Sequence, residues 1–309
     1  MTPSIPNDSQ AADMALSLAL HPDYRILRRL QPQLVFSEAP AGRQMLKGIV
    51  LDTETTGLNT AECKVIELGM ILFEFDPQTG QVHRVLKVFD ELEDPGVPIP
   101  PETTAVHHIT DDMVRGKRIN DQEVLSMLAQ ASVVIAHNAA FDRPFVEQRW
   151  PEFENKPWVC SIKDIDWKAE GLGSAKLEYL LQTQGYFYEA HRAEMDCWAL
   201  LTLLLMVLPQ SQQPVLLQLL ETLNQPQFRL YALGSPFDTK DMLKARGYRW
   251  DGDRKTWHRN LSSEKNVDDE ISWLKNKIYA GKRASIELEK LGATLKHSQR
   301  QGEKTIVSL

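Results

Sequence analysis

Apolar runs alternate with amphipathic stretches over the first two thirds of the chain. Runs long enough for buried strands, in part joined by short turns, occur at residues 48–53, 64–75, 82–89 and 131–136. One helix is predicted after the last of these strands and ends at Trp150. Two more are predicted at residues 177–184 and 193–208. Strands that alternate with helices after an opening hairpin predict a mixed α/β sheet.

A second pattern follows a stretch rich in Gln and Pro. Its elements are a strand at 228–233, a helix at 239–246, a hairpin of 248–251 with 255–259, and a helix at 267–279. We therefore predict a small C-terminal α/β module. The domain boundaries that we predict are a helical leader at 1–45, a main domain at 46–209, a linker at 210–226, the module at 227–281 and a polar tail at 282–309.

Two carboxylates lie at the end of the first buried strand. Asp52 and Glu54 are two residues apart, so on a strand their side chains point to the same face. Like charges this close repel each other, and a divalent cation between them removes the repulsion. Ligation by oxygen alone suits Mg²⁺ or Mn²⁺. The alternative is a strand end whose acids face water.

Two further acids and a histidine extend this candidate site. Asp142 begins a helix, where ordinary capping is an alternative explanation. Asp196 lies on the apolar helix 193–208, where a lone buried carboxylate is costly and needs a partner. His191 is expected on the loop before that helix and is the residue type best suited to act as a general base, although most single histidines are surface residues. Four carboxylates can hold two cations for hydrolysis of a phosphodiester.

These residues fall in three ordered segments, 52–58, 137–142 and 191–196, that resemble the motifs of the DEDDh exonuclease family. That family includes the proofreading epsilon subunit of bacterial DNA polymerase III. The resemblance implies an RNase H-like α/β fold, two Mg²⁺ or Mn²⁺ ions, and 3′-to-5′ hydrolysis that releases nucleoside 5′-monophosphates. It implies that His191 is the general base and that the metal ligands are Asp52, Glu54, Asp142 and Asp196.

The resemblance also implies contacts with the substrate. Thr55 corresponds to a family position that meets the terminal nucleotide, Asn138 to one near the cleft, and His107 to a family segment along the path of the substrate. His108 stands where the family usually has Gly. The C-terminal pattern around residues 239–257 resembles a small module appended to bacterial nucleic-acid enzymes.

Charge is distributed unevenly along the chain. The formal net charge is −7, but residues 240–309 carry 16 Lys/Arg against 10 Asp/Glu. Basic residues interleaved with Tyr248, Trp250 and Trp257 suit single-stranded nucleic acid, through phosphate contact and base stacking. The alternatives are a solvated charged surface and tryptophans that form the core of the module. Residues 225–230 faintly resemble a clamp-binding peptide.

The three cysteines are scattered and the N-terminus lacks a signal pattern, which predicts a cytoplasmic location. The longest apolar run is too short to span a bilayer, so no membrane partner is expected. We predict an enzyme, a metal-dependent 3′-to-5′ exonuclease that acts on DNA, with nucleic acid as its partner. Alternatives are the same chemistry on RNA, a non-catalytic nucleic-acid-binding protein, and a polymerase accessory subunit.

Overall fold

Two five-stranded sheets organise the part of the chain that the computed structural model describes, residues 7–309. The strands are β1 (Arg28–Arg29), β2 (Leu46–Thr55), β3 (Val65–Phe75), β4 (Val82–Leu92), β5 (Val133–Ala136), β6 (Trp158–Cys160), β7 (Tyr186–Phe187), β8 (Gln227–Ala232), β9 (Arg249–Asp251), β10 (Thr256–Leu261), β11 (Ser285–Leu291) and β12 (Glu303–Ser308). The α-helices are α1 (Asp8–Ala19), α2 (Pro101–His107), α3 (Asp111–Val114), α4 (Asp121–Gln130), α5 (Ala139–Arg149), α6 (Leu177–Thr183), α7 (Ala193–Leu204), α8 (Val215–Leu223), α9 (Lys240–Ala245) and α10 (Glu264–Trp273).

The first sheet has the order β4-β3-β2-β5-β6. Strands β4, β3 and β2 pair antiparallel, whereas β2, β5 and β6 pair parallel. One face packs against α6, α7 and α8, and the other packs against α4 and α5. Burial on both faces explains why β2 and β5 read as continuous apolar runs. The prediction of a mixed α/β domain is confirmed.

The second sheet, in the order β12-β11-β8-β10-β9, is antiparallel throughout. Its apolar face packs against α9, α10 and the π-helical turn Leu274–Ile278 that follows α10. The strand, helix and hairpin predicted for the module are found at β8, α9 and β9–β10. An additional C-terminal α/β module is therefore present.

The C-terminal segment differs from the prediction. Residues 282–309 were expected to form a polar tail with one helix, and this prediction is wrong, because the segment supplies β11 and β12. β12 is an exposed edge strand whose two apolar residues, Ile306 and Val307, are adjacent and point to opposite faces, so it shows no apolar alternation. The loop between these strands docks on the main domain, where the buried Arg143 donates to the carbonyls of Thr294 and Lys296.

Two other predicted boundaries also differ. The expected linker contains α8, whose residues Val215, Leu216 and Leu219 are buried in the main-domain core. The predicted helical leader is helical only at α1, because residues 24–27 have no regular secondary structure and β1 pairs with β7. α1 forms as expected, although part of the predicted leader, residues 1–6, lies outside the described residues. Within residues 7–309, no helix has the length and apolar content needed to cross a membrane.

Candidate active site

Three of the four predicted carboxylates converge at the end of β2. Oxygen atoms of Asp52, Glu54 and Asp196 all lie within 4.8 Å of one another. Asp52 and Glu54 project from alternate positions of β2 onto the face that α7 covers, and Asp196 lies in the first turn of α7. The sheet face and the helix start thus form one acidic cluster.

A glycine allows α7 to approach the sheet this closely. Gly69 on β3 pairs with Asp52 across the strands. A Cβ atom built at Gly69 would lie 2.5 Å from the carbonyl carbon and oxygen of Ala193, the first residue of α7. Any side chain at this position would push the start of α7 away from β2, and Asp196 with it.

Asp142 reaches the same strand end from the opposite face of the sheet. It lies in the first turn of α5, is almost fully buried, and accepts hydrogen bonds from the backbone N–H of Thr53 (3.0 Å) and from its hydroxyl (2.8 Å). The side chain of Thr53 points to the α5 face, because Thr53 alternates with Asp52. These contacts use the Oδ1 atom of Asp142, and they fix its carboxylate against the strand that carries the other acids.

His191 lies on the loop directly before α7, as expected, and its side chain is exposed. Its backbone has a φ of 68°. In this left-handed conformation, the backbone N–H groups of His191 and Arg192 both donate to Asp196 Oδ2, at 2.7 and 3.2 Å. The hydroxyl of Tyr188 donates to Asp196 Oδ1 at 3.0 Å. The loop therefore orients Asp196 with its backbone and leaves the imidazole of His191 free.

An ion pair that the sequence analysis missed supports this loop. Glu67 on β3 is fully buried and lies directly across from Glu54 in the sheet. Its carboxylate accepts hydrogen bonds from Arg192 Nε and Nη2, at 2.9 and 2.6 Å, and from the backbone N–H of Ala193 at 2.9 Å. Arg192 thus neutralises the acid next to the cluster and fastens the start of α7 to β3. The sequence contained a signal for this ion pair, because Glu67 is a lone acid in the apolar run 65–73 and a buried acid needs a partner.

The acids strongly perturb one another. Burial and then the charges of Asp142 and Asp196 raise the pKa of Asp52 well above its ordinary value. Burial and then the charge of Asp196 raise the pKa of Glu54 to about 8, and burial raises the pKa of Asp142 to about 7. The pKa of Asp196 is raised by burial, against the opposing effect of its hydrogen bond from Tyr188.

This donor set fits a divalent metal. The carboxylates of the cluster are partly buried, offer only oxygen, and lie near a single cationic side chain, Arg192, which Glu67 already holds. Hard cations with a preference for oxygen, such as Mg²⁺, relieve this kind of repulsion. The acidic cluster is thus compatible with divalent metal binding.

The three predicted substrate residues lie around the acids in different environments. Thr55 is buried, and its hydroxyl donates to the carbonyl of Gly57. Asn138 is exposed with a φ of 81°, and its side chain makes no capping bond to α5. His107 is buried, accepts from the backbone N–H of Ile109, and has its pKa lowered by burial.

The substitution at His108 has a structural consequence. His108 caps α2 with φ 60° and ψ 14°, in the left-handed region. Glycine adopts this conformation without strain, which explains why glycine is usual at this position, whereas a histidine pays about 1 kcal/mol.

Comparison with known proteins identifies the main domain. The family model described as "RNase_T: Exonuclease" matches residues 49–204. The chain belongs to this exonuclease family. The match covers β2 to α7, with all four acids and His191, and it ends before the second sheet begins.

Curated relatives are replication proteins. The chain is 32% identical to the DNA polymerase III subunit epsilon of Treponema pallidum (strain Nichols) over 154 residues, which cover 47% of this chain and 68% of the relative. It is 34% identical to the PolC-type DNA polymerase III of Lacticaseibacillus paracasei over 102 residues, or 32% of this chain and only 6% of that relative.

Solved structures that match the chain include exonuclease X in complex with 5′ overhanging duplex DNA, at 23% identity and a TM-score of 0.41, over 55% of this chain and 99% of that one. They also include Exonuclease I of E. coli in complex with a dA16 oligonucleotide, at 14% identity and a TM-score of 0.48, over 75% of this chain and 71% of that one. The predictions of an RNase H-like fold and of a DEDD-type 3′-to-5′ exonuclease are confirmed by the family match.

Proposed function

We propose that this protein hydrolyses DNA one nucleotide at a time from the 3′ end, with two divalent ions, Mg²⁺ or Mn²⁺, held by the acidic cluster. The observation that carries the proposal is the convergence of Asp52, Glu54 and Asp196 within 4.8 Å, with Asp142 bonded to the same strand. Bound there, the ions would activate a water and stabilise the charge on the leaving oxygen.

The residues of the chain perform the other tasks. His191 accepts a proton from the attacking water, because its imidazole is exposed beside Asp196 and not engaged by it. The water oxygen bonds to phosphorus, the bond from phosphorus to the 3′ oxygen breaks, and a nucleoside 5′-monophosphate leaves. Asn138 and Thr55 line the approach of the terminal nucleotide, with His107 behind them.

DNA is the substrate that we favour, because the relatives are subunits or types of DNA polymerase III. RNA is the second candidate, since we identify no residue that senses the 2′-hydroxyl group. The relatives also suggest a polymerase as partner, whereas a sliding clamp is disfavoured, because Phe228 and Leu230 of the clamp-like segment are buried in β8. A cytoplasmic location stays a prediction, in keeping with three free cysteines.

The metal assignment is tested by titration of the full chain with Mn²⁺, followed by calorimetry. We expect two ions per chain for the wild type, and Asp52→Asn to lose at least one of them together with hydrolysis of single-stranded DNA. Asp268→Asn, an exposed acid of α10 in the second module, is the matched control and should bind as the wild type does. Equal Mn²⁺ binding by Asp52→Asn and the wild type would refute the assignment.

A further inference from the structure

A cleft of about 660 Å³ separates the main domain from the second sheet. Basic side chains line both walls, and we call it the basic cleft. Lys163, Arg229, Arg249, His258, Arg259 and His297 contribute to its surface. No Asp or Glu is among its lining residues.

The charge of the basic cleft is only partly compensated. Lys163 and Arg249 are exposed, and neither forms an ion pair within the described part of the chain. Arg229 lies 3.4 Å from the buried Glu289, and Arg259 lies 2.8 Å from Glu270. Glu270 is also held by Arg246 at 3.0 Å, so two cations share that one carboxylate. His297 lies 3.0 Å from Asp164, and burial lowers the pKa of His258, so the excess positive charge of the cleft comes from Lys163 and Arg249.

Strand pairing gives Arg229, Arg249 and His258 a common face, whereas Arg259, opposite Leu230, lies on the other face beside Glu270. Arg249 pairs with His258, and Asn260 pairs with Arg229, so their side chains share the polar face of the second sheet. The opposite face carries the apolar core. Trp250 and Trp257, which also pair, lie on that other face, and Trp257 packs against the core.

The sequence analysis treated the basic and aromatic residues of this module as one binding surface. The structure separates them. Tyr248 is a core residue whose hydroxyl donates to Glu270, and of the three aromatic residues only Trp250 is exposed, away from the cleft. The cleft offers cations and polar groups, so it suits contacts with phosphates rather than stacking with bases.

The basic cleft also reaches the first turn of α5, the helix that carries Asp142. Ala140, which lines it, is exposed in the first turn of α5, between Asn138 and Asp142. A strand whose 3′-terminal nucleotide lies at the acids can thus continue into the cleft. The cleft therefore borders the helix that supplies one of the four acids of the candidate site.

We propose that the basic cleft binds the sugar-phosphate backbone of the single strand upstream of its 3′-terminal nucleotide. This inference rests on the proposed function, because that function places the 3′ end at the acids. The C-terminal module thereby becomes part of the substrate site, and its β12 and β11 help to hold the wall that carries Arg229 in place.

The test is a pair of substitutions that each remove one positive charge, Lys163→Gln with Arg249→Gln, in the full chain. Binding of fluorescent single-stranded DNA of about 3 and about 15 nucleotides is measured by anisotropy in EDTA, across a range of salt concentrations. Two lost phosphate contacts lower the salt slope by about 1.4, since each single-strand contact contributes about 0.7. At 0.1 M salt we therefore expect the longer strand to bind about 5–25-fold more weakly. Binding of the short strand should change less than twofold.

The matched control is Lys282→Gln with Arg283→Gln, two exposed cations of the same module outside the cleft, with the same change in net charge. It should keep the affinity and the salt slope of the wild type. The inference is overturned if the cleft variant binds the long strand as the wild type does, or if the control weakens binding equally. Failure of the proposed function shows separately, as no Mg²⁺-dependent cleavage by the wild type, because binding is measured without metal.

Discussion

Removal of one charge from the acidic cluster should stabilise the metal-free protein and reduce the stabilisation that metal adds. Glu54 is a suitable target, because burial and then Asp196 raise its pKa from 4.5 to about 8. The unfolded chain releases this proton near pH 4.5, whereas the folded, metal-free chain keeps it up to about pH 8. Protons bound by the folded state therefore exceed those bound by the unfolded state, and stability falls as the pH rises through this range.

The size of the effect follows from the same difference in pKa. The difference between the two pKa values lowers the free energy of unfolding by at most about 5 kcal/mol above pH 8. Glu54 is partly exposed, so solvent screening reduces the cost to about 1–3 kcal/mol. In EDTA, Glu54→Gln should thus raise the free energy of unfolding by that amount at pH 8.5 and by less than about 1 kcal/mol at pH 5.

The assay is urea unfolding followed by circular dichroism, at both pH values, in EDTA and in Mg²⁺. With Mg²⁺ at about 100 times its dissociation constant, the wild type gains about 2.7 kcal/mol, and the variant gains less. Glu62→Gln, an exposed glutamate on the loop after β2, is the control and should show no change at either pH. The reasoning is refuted if Glu54→Gln is no more stable than the wild type at pH 8.5 in EDTA.

Two further substitutions test the loop and helix that carry the third motif. His191→Ala should lower the single-turnover rate on single-stranded DNA by about 10²–10⁴-fold, because a general base is lost, and should leave Mn²⁺ binding unchanged. A rate within threefold of the wild type would show that His191 is not the general base. Gly69→Ala places a methyl group against Ala193, so we expect the free energy of unfolding to fall by about 1–3 kcal/mol and the rate to fall as Asp196 moves away from the cluster. Gly252→Ala, where a Cβ meets nothing within 4 Å, is the control in urea unfolding and in the rate assay, and equal behaviour of the two variants would contradict the close-approach argument.

The acids of the cluster could be found in the sequence, because each one stood where a carboxylate is costly or repelled. Asp196 on an apolar helix is the clearest case, and the structure places it beside Asp52. The same argument applied to Glu67 would have found the pair with Arg192. The close approach at Gly69 could not be seen, since it depends on which helix crosses which strand.

The C-terminal segment shows where sequence patterns fail. β12 lies at an edge and is mostly polar, and its two apolar residues, Ile306 and Val307, point to opposite faces. Without apolar alternation its sequence is typical of a tail. The separation of Arg249 from Trp250 onto opposite faces follows from strand alternation once their pairing is known. A count of basic and aromatic residues in that segment could not reveal it.

The most direct test of the account is cleavage of 5′-labelled single-stranded DNA, and of RNA of the same sequence, by the wild-type chain in Mg²⁺ or in EDTA. The account predicts a ladder that shortens stepwise from the 3′ end of the DNA in Mg²⁺ and no products in EDTA. A faster ladder on RNA would favour the second substrate. Cleavage that persists in EDTA, or tight DNA binding with no cleavage in Mg²⁺, would contradict a metal-dependent exonuclease site built from Asp52, Glu54, Asp142 and Asp196.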